Sequence, residues 1–327
     1  MNSVAALTEI KRRELFLETA ASKGMSPAIV EKDFWVSWVL LRIFEHPELS
    51  GKLLFKGGTS LSKVFHLIER FSEDIDLVLD WQLLTKDDPK KDRSKKQQNI
   101  FNKNLRELSE KYVQSNVMPW VKEAVGDICR VDIDAEDGRV IHIHYHGVFE
   151  DQYLRPDIRL EVGPFSEWVP CAEYLITPYV AEVFPSVFSS PQCRVIALKA
   201  ERTFWEKVVI LHQESFRAES QSASIRYSRH YYDLAMMARS KIKDDAINDQ
   251  KLMERVINFN ERFFPKVWAH YELVKPGTIR LLPSAYFEKS LRSDYADMKR
   301  MIFGNYPSFD EILNTIKALE NEINSTE

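Results

Sequence analysis

An α+β fold is predicted: a small mixed sheet packed on helices, followed by a mainly helical C-terminal half. Three observations lead there. The residue patterns run in the order helix, strand, helix, strand, helix, strands and then helices, which suits a sheet covered by helices. Apolar residues make up 44% of the chain and aromatics 12%, enough for a packed core and incompatible with wholesale disorder. The 327 residues fit one large domain or two modest ones. The expected division is 1–165, holding the sheet and the N-terminal helices, and 166–327, mainly helical.

Residues 4–45 read as two helices, with Ile10, Leu15 and Phe16, then Ile29, Phe34, Val36, Val39, Leu40 and Ile43 at helical spacing. Ser26-Pro27 supplies a cap followed by proline at the first helical position. Leu53-Leu54-Phe55 is a short apolar strand that runs into Lys56-Gly57-Gly58-Thr59-Ser60. A helix then carries Leu61, Val64, Phe65 and Ile68 on one face. A second strand follows over 71–80, with Ile75, Leu77 and Leu79 alternating. Residues 85–98 form a charged stretch of six basic and three acidic groups without periodicity, read as a solvated loop or frayed helix start, with a flexible RNA-facing arm as the rival reading. Residues 99–126 read as helix. Three strand-like runs cover 128–135, 139–148 and 153–162, the first two joined by a hairpin signal at Glu136-Asp137-Gly138-Arg139. From 195 to 240 the pattern is helical, and helices broken by Pro265, Pro276, Pro283 and Pro307 fill the rest.

The chemistry concentrates around the glycine pair. Glycine lets backbone approach a ligand and take positive φ. A helix start presents free N–H groups and the positive end of the helix dipole, a combination suited to a triphosphate. The spacing matches neither a P-loop nor a dinucleotide fingerprint. Some fourteen residues on, Asp74 and Asp76 flank Ile75 in a strand. Side chains two apart share one face, roughly 6–7 Å apart at the backbone. Such a carboxylate pair can chelate two divalent ions about 3.5–4 Å apart and clamp the oxygens of a phosphoryl or nucleotidyl transfer. A third carboxylate is expected from a neighbouring strand. Glu161 is the candidate and Asp157 the alternative, since Asp157, Arg159 and Glu161 share one face while Ile158, Leu160 and Val162 share the other. Asp132-Ile133-Asp134 repeats the spacing but follows no phosphate loop and precedes a hairpin, so it reads as a solvated strand face. His142, His144 and His146 also alternate on a strand, but adjacent strand positions rarely all reach one ion, and no zinc site is assigned.

A glycine pair with a hydroxyl residue at a helix start, then two aspartates on the next strand, resembles the DNA polymerase beta-like nucleotidyltransferase superfamily. Lys56-Gly57-Gly58-Thr59-Ser60-Leu61 with Ser72-Glu73-Asp74-Ile75-Asp76-Leu77 resembles the AbiEii/AbiGii-type nucleotidyltransferase toxins, and Glu31-Lys32-Asp33 fits that family too. Further on, Glu206-Lys207 resembles the family's lysine motif, and Arg229-His230-Tyr231-Tyr232-Asp233-Leu234 its R-D-x-x-D-L motif, with His230 in place of the first aspartate. The resemblance implies a polymerase beta-like core and a Mg²⁺- or Mn²⁺-dependent transfer of NMP from an NTP to an acceptor hydroxyl, with release of pyrophosphate. It implies that Lys56, Gly57, Gly58, Thr59 and Ser60 hold the nucleotide phosphates. Asp74 and Asp76 would bind metal, and Glu161, the candidate read from the strand face, would serve beside them as third metal ligand or base. Lys207 would contact the triphosphate, with Lys199 as the alternative lysine, and Asp233 would complete the site from the helical half. The implied role is the toxin of a bacterial type IV toxin–antitoxin or abortive phage-infection system, with tRNA as acceptor and a cognate antitoxin encoded nearby. A protein or small-molecule hydroxyl as acceptor, or a non-catalytic nucleotide-binding module, are the competing readings.

The remaining composition narrows the setting. With 45 Lys plus Arg against 49 Asp plus Glu, the formal charge is −4, so any nucleic-acid contact rests on a local patch. Three unpatterned cysteines argue against a disulfide framework and a cysteine zinc site. The most apolar stretch, 34–44, is broken by Ser37 and Arg42 and is too short to span a bilayer, so a soluble, cytoplasmic protein without a membrane partner is expected.

Overall fold

The computed structural model describes residues 1–151, 154–219 and 226–325. Two compact units emerge: Met1–Val64 with Phe71–Leu198, and Phe65–Arg70 with Lys199–Glu327. The architecture is α+β, with a sheet and its helices in the first unit and helices in the second.

The first unit is built on a seven-stranded sheet in the order β3-β4-β5-β2-β1-β7-β6. Its strands are β1 (Leu53–Lys56), β2 (Asp74–Leu79), β3 (Arg130–Ile133), β4 (Val140–His144), β5 (Ile158–Gly163), β6 (Cys171–Ile176) and β7 (Cys193–Leu198). The β2–β5 and β1–β7 pairs are parallel and the others antiparallel. The helices are α1 (Asn2–Ala5), α2 (Glu9–Lys23), α3 (Pro27–Glu45), α4 (Gly57–Lys63), α5 (Lys95–Tyr112), α6 (Met118–Val125) and α7 (Tyr179–Val183). One apolar core joins the sheet to α3: Ile75, Leu77, Ile141, Ile143, Ile158 and Leu160 are buried together with Phe34, Trp35 and Trp38. Alternation in β2 and β5 follows from that burial, because facing apolar side chains inward puts Asp74, Asp76, Arg159 and Glu161 on the opposite face.

Three expectations are corrected. Residues 193–198 form β7 and not the start of a helix, inserted between β1 and β6 with Phe55 opposite Ala197. Buried Cys193, Val195 and Ala197 alternate with exposed Arg194 and half-buried Ile196, a period-two pattern only six residues long that the helical reading from 195 overruns. Strand β6 likewise lies where no strand was expected, and it pairs along β7. The helix after the glycine pair stops at Lys63, so Val64, Phe65 and Ile68 do not share a face on it. Tyr153, at the head of the third strand-like run, lies outside the described residues. No helix among the described residues is long and apolar enough to cross a membrane.

The second unit holds α8 (Ala200–Ser215), α9 (Ser228–Ala238), α10 (Ile242–Ile247), α11 (Gln250–Phe263), α12 (Ala285–Met298) and α13 (Phe309–Asn324). Helix α9 packs on α8, α12 and α13, burying Tyr231, Tyr232, Asp233 and Leu234. The segment 65–70 joins this unit: Arg70 bridges to Ile302, and the Glu69 carbonyl accepts from the Phe303 amide at 2.9 Å.

Candidate active site

The glycine turn sits against an aspartate. Strand β1 ends at Lys56, whose register partner on β2 is Asp76. Gly57 then takes φ +80°, and a Cβ placed on it would lie 1.8 Å from Asp76 Oδ2. No side chain fits there, so glycine is what allows the turn to lie directly on the carboxylate. The hydroxyls that follow bind backbone. Thr59 donates to the carbonyls of Asp74 and Ser72, tying α4 to the start of β2, and Ser60 donates to the Gly57 carbonyl at 2.8 Å.

Asp74 and Asp76 are half-buried on one strand face, as the spacing predicts. Asp74 Oδ1 is buried with no hydrogen-bond partner. A buried carboxylate oxygen left unpaired is costly and fits a cation-binding role. The parallel pairing of β2 with β5 sets Asp74 opposite Arg159 and Asp76 opposite Glu161, so register brings Glu161 beside the aspartates. The Glu161 carboxylate is held by Arg159 at 2.6 Å. Asp157, the alternative, is buried and bonded to His142, whose other ring nitrogen lies 2.9 Å from Asp134. Burial works to lower the His142 pKa, but the two carboxylates outweigh it and raise it. The two aspartates thus fit a divalent cation. Among the described residues no three His, Cys, Asp or Glu side chains converge as a ready-made metal site.

Behind the site, Glu31, Lys32 and Asp33 on α3 are almost fully buried, and each pins a different segment. Glu31 accepts from the Val148 and Phe149 amides at 2.9 and 3.0 Å. Lys32 bonds Glu73 at 3.1 Å and also the Arg155 carbonyl, while Glu73 accepts from the Arg155 amide at 2.9 Å. Asp33 bonds Lys63 at 2.7 Å and the Tyr179 amide at 2.7 Å. Lys63 is the last residue of α4 and Glu73 directly precedes Asp74, so two of these pairs anchor the elements that carry the glycine turn and the aspartates.

The second unit contains its own charge cluster. Arg70 grips Asp233 with two bonds, Nε to Oδ1 at 2.6 Å and Nη2 to Oδ2 at 2.8 Å. Lys207 Nζ reaches Asp233 Oδ2 at 2.7 Å and His230 Nδ1 at 3.0 Å. Burial alone would push the Asp233 carboxyl up, but the Arg70 and Lys207 charges hold it well below the ordinary range. Burial lowers the Lys207 ammonium. His230 is driven well below its usual value by burial and then by the Lys207 and Arg229 charges, so it is neutral and accepts from Lys207 through Nδ1.

A family model described as "Nucleotidyl transferase AbiEii toxin, Type IV TA system" matches residues 38–315. The chain belongs to the AbiEii nucleotidyltransferase toxin family. Solved structures similar to it include MenT4, a nucleotidyltransferase toxin from Mycobacterium tuberculosis H37Rv. That structure is 16% identical, with 96% of this chain and 99% of that one covered and a TM-score of 0.46. No curated protein matches the chain.

Within this AbiEii-family chain, sequence reasoning missed Arg70, Lys63 and Arg159. Each is a lone cation whose partner is distant in sequence or on a strand face of unknown register. For Arg159 a signal was present, since alternation already placed it between Asp157 and Glu161. His230 stands where the family's motif has aspartate, and it supplies the acceptor for Lys207 without the charge.

Proposed function

We propose that this protein transfers a nucleoside monophosphate from an NTP to an acceptor hydroxyl, most plainly one on RNA such as tRNA, and releases pyrophosphate. The carrying observation is the Asp74–Asp76 pair, on one strand face and pressed against the Gly57 turn, with an Asp74 oxygen buried and unpartnered. Asp74 and Asp76 would hold Mg²⁺ or Mn²⁺, with Glu161 as the third carboxylate. Bound divalent cations supply charge neutralisation on the phosphates and on the leaving oxygen. The Gly57–Gly58 turn lets backbone approach the phosphates, with Lys56 alongside. Rigid strands fix the aspartates, so the acceleration comes from positioning and electrostatics. Lys207 and Asp233 are the family's lysine and aspartate positions, held by Arg70 and His230. A cognate antitoxin, cytoplasmic action and a part in phage defence belong to the same reading, supported by family membership.

The test is transfer of label from each α-labelled NTP into total RNA, total protein and small metabolites, by the wild type and by Asp76→Asn. Label in RNA that requires Asp76 supports the reading. Label confined to protein or metabolites replaces the acceptor and keeps the chemistry. Nucleotide binding without turnover in either form would make the chain a binding module and refute it.

A further inference from the structure

The sheet face that carries the aspartates is a small lattice of mixed charge. Register aligns Lys56, Asp76 and Glu161 in one row and Asp74, Arg159 and His142 in the next. Adjacent strands lie about 4.8 Å apart, so neighbours in a row are within side-chain reach. Three carboxylates there repel one another unless cations lie among them. Arg159 supplies one such cation. Its Nη1 lies 2.6 Å from Glu161 Oε1, on the same strand two residues away, and its register partner is Asp74. The pair is partly exposed, 28% for Arg159 and 41% for Glu161, so its members can exchange partners without crossing the core.

We propose that Arg159 is a built-in competitor for the divalent cation: its guanidinium holds Glu161 away from Asp74 and Asp76, and Glu161 joins them only by giving up Arg159. This rests on the reading of Asp74 and Asp76 as cation ligands. It accounts for a third carboxylate that is beside the pair by register yet does not converge with it. A planar, always-charged guanidinium is a fit stand-in, because it neutralises a carboxylate at any working pH and leaves as an intact side chain. Arg159 is therefore a residue that sets cation affinity, not a ligand.

The experiment is Mn²⁺ titration of the full chain, reading free Mn²⁺ by electron paramagnetic resonance, with circular dichroism confirming that each variant is folded. Arg159→Gln is expected to tighten Mn²⁺ binding about two- to fivefold, the worth of a partly exposed ion pair. Arg159→Lys, which keeps the charge, should stay close to wild type. Glu161→Gln should weaken binding by about tenfold or more, and adding Arg159→Gln to it should bring no tightening, since the competitor then has nothing to hold. Unchanged or weaker binding in Arg159→Gln overturns the proposal. So does tightening that persists in the Glu161→Gln background, which would assign the effect to net charge. If the wild type takes up no Mn²⁺, or Asp76→Asn takes it up equally well, the assignment of the aspartates fails first and this inference falls with it.

Discussion

Replacing Gly57 by alanine isolates the contact on which the site depends. Two costs arise at that position. The first is conformational, since a residue with a Cβ held at φ +80° loses on the order of 1–2 kcal/mol. The second is steric and local. The new Cβ would lie 1.8 Å from Asp76 Oδ2 and 2.7 Å from its Cγ, and restoring ordinary contact moves the carboxylate by roughly 1.5 Å or more. A misplacement of about 1 Å near reacting groups costs about a hundredfold in rate. Gly24→Ala is the control, because Gly24 also has positive φ, +63°, with nothing within 4 Å of the point where a Cβ would stand. Urea denaturation should show the conformational loss in both variants and a larger total loss in Gly57→Ala, while transfer of labelled nucleotide falls at least about a hundredfold in Gly57→Ala only. Wild-type transfer by Gly57→Ala would refute the argument that the turn must lie on Asp76.

Further outcomes follow from the buried charges. Asp233→Ala strips the carboxylate shared by the buried cations Arg70 and Lys207 and removes the charge that balances them, so the urea midpoint should fall by the equivalent of roughly 3–5 kcal/mol. The depressed pKa of Asp233 means that its contribution is present above about pH 4 and is lost as pH falls through the folded value, so acid unfolding of wild type should be steeper than that of Asp233→Asn. Lys32→Met and Glu73→Gln should each destabilise strongly, and the double variant should cost less than their sum, as a double-mutant cycle in urea would show. The raised pKa of His142 makes its stabilisation complete below about pH 6.5 and fading as pH rises through the folded value. A His142→Gln variant should flatten that decline in stability measured from about pH 6 to 9, and an unchanged slope would reassign it.

The α+β class, the strand–turn–helix–strand order and the shared face of Asp74 and Asp76 were legible in the amino-acid sequence. Those features depend on local rules: period-two burial in a strand, glycine where φ must be positive, and proline at a helix start. The same alternation placed Asp157, Arg159 and Glu161 on one face, with Glu161 named ahead of Asp157, but it did not say which of them faces the aspartates. Only the β2–β5 pairing states which residue lies opposite Asp76, and it is Glu161. Strands β6 and β7 escaped for a related reason. Cys193–Leu198 alternates over six residues only, buried at Cys193, Val195 and Ala197 and exposed at Arg194, too short a run to stand out beside the long helical pattern that follows, and pairing with β1 and β6 is what makes it a strand. The early stop of α4 and the partnership of Arg70 with Asp233, 163 residues apart, were likewise invisible. Local stereochemistry is written residue by residue along a chain. Pairing, register and the partners of buried charges are set by long-range packing, and that is where tertiary structure alone decided.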